Sequence, residues 1–133
     1  MKKLLVLLSI FALNGCAVYD AYFMAKFDNN EYKLINDIRT KANLGAAKCG
    51  TDDAIVAVDD LYRTTVEFRN YAEYIPHNEE VIRLSKEFSE MAKTFSEHYH
   101  TTPKVSTTYC TIKFGSLEKN AVIVQNVVGR KPK

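Results

Sequence analysis

The chain contains no tryptophan, and its 133 residues include only five glycines, three prolines, three cysteines and three histidines. With so few glycines there is no phosphate-cradling loop and no GxSxG turn to expose a nucleophilic serine. The histidines are His77, His98 and His100. His98 and His100 stand two residues apart and face different sides of a helix. No HExxH or Cys/His spacing is present, so no metal or other cofactor is expected. The acidic pairs Asp52–Asp53 and Glu79–Glu80 resemble catalytic carboxylates in type only. Each sits where a helix begins, and there it complements the positive end of the helix dipole. No catalytic residue is assigned, and the chain reads as a non-enzyme.

Neither charge sign dominates. The 18 Lys and Arg residues face 16 Asp and Glu. Lys2 and Lys3 belong to an N-terminal segment treated below as removable, and without them the balance is even at sixteen each. Nucleic acid is thereby excluded as a default partner, since phosphate binding needs a basic face. Only Arg130, Lys131 and Lys133 form a locally basic tail, residues 130–133.

Long apolar runs are also lacking. Residues 4–13 are apolar except for Ser9, about half of the roughly 20 residues that a spanning helix requires. Behind Met1-Lys2-Lys3, that run has the form of a secretory signal peptide. It is followed by Leu13-Asn14-Gly15-Cys16, which resembles the lipobox of bacterial lipoproteins, with Asn14 where the family prefers Ala, Ser or Thr. The resemblance covers the first sixteen residues. It implies that residues 1–15 are removed and that Cys16 carries a covalent lipid, the only prosthetic group expected. Ala17 stands where an Asp would retain such proteins in the inner membrane, so the expected address is the periplasmic face of the outer membrane. Acyl chains contribute about 0.8 kcal/mol per buried methylene, so anchoring would need no apolar surface on the protein itself.

If Cys16 is lipidated, Cys49 and Cys110 remain, and an oxidising compartment tends to pair them. The loop they close, of about 60 residues, is worth roughly 4 kcal/mol on chain-entropy grounds.

The mature part, just under about 120 residues, suffices for one core. Its apolar residues recur at helical spacing. Ile35, Ile38, Ala42 and Ala46 form a first stripe, behind Asp28 and Glu31 spaced as a capping-box variant. This helix is expected from near Tyr19, kinked around Asn29 and Asn30. Tyr19, Tyr22, Phe23 and Phe27 either extend it or lie at a bilayer interface. A second stripe, Ala54, Val58, Leu61, Thr65, Phe68, Ala72 and Ile75, follows Thr51-Asp52-Asp53 and stops at Pro76. The third is Val81, Leu84, Phe88, Met91, Phe95 and His98, starting near His77 or Asn78 and ending at Thr101-Thr102-Pro103. The fourth is Cys110, Phe114, Leu117, Ala121, Val124 and Val128, with Gly129 as the expected C-cap glycine. Residues 105–114 are rich in Thr and β-branched types, so a short strand there is the alternative to a helix.

These stripes predict an all-α, up-down-up-down four-helix bundle over residues 28–129, carrying one disulfide, with residues 16–27 as a membrane-proximal tether. Cys49 and Cys110 then fall at one end of the bundle, and both termini at the other. Tyr62, Tyr71, Tyr74 and Tyr99 flank the stripes, which suits them either to cover the core edge or to form an interaction surface. The expected role is a membrane-anchored interaction module that binds an envelope protein. The alternative is a peptidoglycan-linked or wall-hydrolase-modulating lipoprotein, because the chain ends in Lys133 as the murein lipoprotein ends in Lys; a phage-encoded lysis or receptor-blocking lipoprotein belongs to the same broad class.

Overall fold

The apolar stripes become four helices: α1 (Asn29–Ala46), α2 (Asp53–Tyr74), α3 (Glu79–Thr101) and α4 (Thr107–Gly129). The computed structural model describes residues 23–133. The expected signal peptide, Cys16, Tyr19 and Tyr22 lie outside that range. Connections of four to six residues make consecutive helices antiparallel. Each helix packs on two neighbours, α1 on α2 and α4, α3 on α2 and α4, with no diagonal contact. The result is the expected up-down-up-down four-helix bundle.

Local chemistry sets the boundaries. Asp28 is extended, and its carboxylate accepts the Glu31 N–H at 2.8 Å, so α1 begins at Asn29 rather than near Tyr19. Ile75 and Thr102 precede prolines and are extended (ψ 120° and 123°), because the Pro ring disfavours helical geometry in the residue before it. Ser106 caps α4 by accepting the Tyr109 N–H at 3.1 Å. Residues 107–114 are therefore helical, and the described residues contain no strand. The single unsatisfied preference for β structure in this stretch is overridden by the cap and by burial of Cys110 and Phe114.

The core follows the stripes with one rotation. Every residue of the fourth stripe is buried, as are Ile35, Ile38, Ala42, and the second stripe up to Ala72. On α3, Met91 is instead exposed, and Ser85, Ser89, Ala92 and Ser96 lie inside with Val81, Phe88 and Phe95. Small side chains there let α3 approach α2 closely, and Ser85 and Ser96 satisfy their hydroxyls on Ile82 O and Asp59 at 2.8 and 2.7 Å. Phe95 meets Phe114 edge-on at 5.0 Å between ring centroids, joining α3 to α4.

Gly129 does not act as a left-handed C-cap. It is the last residue of α4, and the cap position is Arg130 with φ −91°. An added Cβ would lie 3.4 Å from the Tyr32 ring, an ordinary van der Waals contact, so space does not require glycine there either. Gly50 is the glycine that needs its conformational freedom, at φ 86° in the turn that carries Cys49.

Cys49 and Cys110 are disulfide-bonded, with Cα atoms 5.7 Å apart. The bond ties the α1–α2 turn to the first turn of α4. It defines a staple end of the bundle, opposite the end where the described chain enters and leaves.

Candidate functional site

The terminal end is built from three pieces of chain. Residues 24–28 cross it as a strap without regular secondary structure: the Ala25 N–H donates to His77 O at 3.1 Å, and the Phe27 N–H donates to Pro132 O at 2.8 Å. His77 takes the left-handed backbone region, φ 60°, where few non-glycine residues sit. Its carbonyl is held there by the strap. Ala25 and Phe27 of the expected tether, and Lys131 and Pro132 of the expected basic tail, are thus hydrogen-bonded within the folded domain.

Beneath the strap lies a polar triad with almost no solvent access: Glu31 is 0% exposed, Asn78 2% and Lys131 8%. Lys131 Nζ donates to Glu31 Oε2, and also to Asn78 Oδ1 at 2.6 Å. Asn78 Nδ2 donates to Glu31 Oε1 at 2.7 Å and to Ala72 O at 3.0 Å. A buried charge is tolerated only when answered by an opposite charge and by hydrogen bonds, and both are supplied here. Glu31 was expected to close a capping box. Asp28 performs its half of that motif, but the Glu31 carboxylate turns inward to Lys131.

Two grooves flank the strap. One, of about 670 Å³, lies between the start of α3 and the end of α4 and includes Met24, Val81, Ile123, Val127 and Arg130 in its lining. The other, of about 530 Å³, lies against the end of α2 and includes Met24, Phe27, Tyr71, Tyr74 and Pro76. They share Met24, Ala25 and His77. The apolar side chains of the two grooves therefore adjoin as one band at the terminal end, interrupted by polar residues that include Glu79, Glu80 and Asn126.

The four flagged tyrosines divide. Tyr74 is 88% exposed on this band. Tyr71 lines the same groove, where its hydroxyl donates to Asp28 Oδ1 at 3.1 Å and accepts from Asn30 Nδ2 at 3.4 Å. Tyr62 and Tyr99 pack half-buried against the core, and burial raises the Tyr99 phenol above its usual range. Tyr62 precedes Tyr71 by nine residues, about 14 Å along α2, so the four do not form a single patch.

Other polar clusters serve packing. Ser96, Asp59 and His100 have the composition of a hydrolytic triad in the wrong order. Asp59 Oδ1 accepts from Ser96 Oγ at 2.7 Å, while His100 Nε2 faces the Asp59 carboxylate at 2.9 and 3.0 Å. A histidine that activates serine must stand between the two, and here the carboxylate does. His98 lies against the Tyr109 ring, 4.4 Å between centroids. Among the described residues, no three His, Cys, Asp or Glu side chains are grouped to hold a metal ion.

Lys41 joins α1 to α2, with its ammonium 3.1 Å from Asp60 and 3.3 Å from Asp37. Burial pulls its pKa down, but hydrogen bonds and charge from Asp60 and Asp37 outweigh this and leave it raised. For Asp60, burial pushes upward, and the hydrogen bonds and charges of Lys41 and Arg63 leave the carboxyl lowered. The shifts agree in meaning: the charged pair is favoured in the fold.

Comparison of the chain with protein families, with curated proteins and with solved structures finds no match.

Proposed function

We propose that this chain is a lipid-anchored envelope protein that acts by binding another protein, held by Cys16 at the periplasmic face of the outer membrane. The observation that carries the reading is the basic-apolar-Gly15-Cys16 order at the N-terminus. The fold lends support: the strap and the C-terminus meet at one end, and the disulfide lies at the other. An anchor at Cys16 would present the staple end and the outer helix faces to the periplasm. A disulfide also suits an oxidising compartment.

A binding role is favoured over catalysis by the order of groups around Asp59, which sets a carboxylate rather than an imidazole against Ser96. The peptidoglycan-linked alternative needs Lys133 to reach the wall. Pro132 is instead held by the strap, at the end of the bundle where the described chain begins, so that alternative is less favoured. Crosslinking in the native host followed by mass spectrometry tests the assignment. A specific envelope protein joined to the bundle is the expected outcome, and peptidoglycan fragments on Lys133 would replace it with the wall-linked reading.

A further inference from the structure

We propose that the apolar band around the terminal end is a membrane-contacting surface, which seats the bundle upright in the headgroup region of a phospholipid bilayer. The proposal rests on the lipid-anchor reading above and adds a second, shallow contact made by the protein itself.

Large apolar side chains at this end are turned outward rather than into the core. Met24 is 43% exposed, Ile123 55% and Tyr74 88%. They come from the strap, α4 and α2 respectively, and the two grooves that share Met24 connect them into one surface. Elsewhere, exposed apolar residues are differently placed. Val56 stands among Lys48, Asp59, Asp60 and Arg63, and Leu44 and Ile112 line none of the grooves described.

The length of chain between anchor and band identifies the occupant. Phe23 follows Cys16 by seven residues, which span at most about 25 Å when fully extended. A lipid on Cys16 therefore keeps the terminal end within that distance of the acyl chains. The first described residues, Phe23 and Met24, line the first groove, and Met24 lines the second as well.

The charges fit a shallow seat. Lys26, Arg130 and Lys133 are exposed at this end and can meet lipid phosphates. Glu79 and Glu80 are exposed there too, and their hydration sets the limit of depth at the headgroup layer. Tyr74 has the ring-and-hydroxyl character favoured at that layer. No described helix is long and apolar enough to cross the membrane, so the contact is interfacial.

The absence of tryptophan supplies the test. Four single-tryptophan variants of the full lipidated chain, Tyr74→Trp, Ile123→Trp, Leu44→Trp and Val56→Trp, are reconstituted in phosphatidylethanolamine/phosphatidylglycerol vesicles with brominated acyl chains. All four positions are exposed, so each variant should keep the fold; circular dichroism checks this. Positions 74 and 123 should lose emission to bromine and shift to shorter wavelength, while 44 and 56 stay unchanged. Unquenched emission at 74 and 123 in protein that floats with the vesicles overturns the proposal. So does equal quenching at all four positions, which would mean a bundle lying on its side. Failure of the anchor reading looks different: the chain incorporates no palmitate and does not float.

Discussion

Glu31 has no exposed surface, and its charge is answered entirely within the protein, by Lys131 and Asn78. Removing one partner of a buried pair leaves the other charge without water or counter-charge. Lys131→Met should therefore destabilise the domain by about 3–5 kcal/mol. Glu31→Gln combined with Lys131→Met leaves no buried charge and should recover most of that loss. Urea unfolding of the three proteins measures it, and an equal loss in single and double variants would show that packing, not charge, holds the site. At Asp60 and Lys41 the effect is smaller, because each side chain is about a third exposed, 34% and 30%, and such pairs contribute less than about 1 kcal/mol. Asp60 has a lowered pKa, so its contribution is present above the ordinary carboxylate range and fades as pH falls through the lowered value. Lys41 has a raised pKa, so its contribution is complete below the ordinary lysine range and fades as pH rises through the raised one. Between those limits this pair should make stability flat with pH. Asp60→Asn should lower that plateau and flatten the acid limb of a denaturant-midpoint profile.

On the scale of the helix, two glycines should answer in opposite directions. Gly45 is buried near the end of α1, and a Cβ there would come within 2.6 and 2.9 Å of the Phe114 ring. The ring is itself locked against Phe95, so Gly45→Ala should cost about 1–3 kcal/mol. Gly115 lies inside α4, and a Cβ there meets nothing within 4 Å. Gly115→Ala should stabilise by about 1 kcal/mol through backbone propensity alone. Thermal melts of both variants check the pair of signs. The helices themselves were legible because period-3.6 stripes agreed with prolines and caps at most boundaries, the exceptions being the start of α1 and the expected C-cap at Gly129. Extending those stripes one step also reaches the buried triad: Glu31 precedes Ile35 by four, Asn78 precedes Val81 by three, and Lys131 follows Val128 by three. Charge type hid what spacing showed, since a buried ion pair requires two residues one hundred positions apart to meet. The inward rotation of α3 was hidden for a related reason. Ser85, Ser89 and Ser96 are polar by composition, yet their small size lets them be buried, and the Ser85 and Ser96 hydroxyls are bonded within the fold. The tyrosines show the limit for surfaces: periodicity assigns them to the flanks of stripes, but only the packed fold separates Tyr71 and Tyr74 from Tyr62 and Tyr99.

For the molecule as a whole, the two ends are built differently. The staple end is closed by Cys49–Cys110 across a sequence separation of 61. Cys110→Ser should lower stability by roughly 4 kcal/mol and abolish the mobility difference between reduced and non-reduced protein on electrophoresis. The terminal end gathers the strap, the buried triad and the apolar band, where the described chain begins. Topology links the two readings: with an even number of antiparallel helices, both termini fall at one end, so a lipid on Cys16 fixes which end meets the membrane. The orientation, the interfacial contact and the proposed periplasmic partner all depend on that lipid. Labelling with radioactive palmitate in the native host tests it most directly. The wild-type chain should take up label and the Cys16→Ser variant should not, whereas equal labelling of the two, or none in either, would contradict a lipid anchor at Cys16.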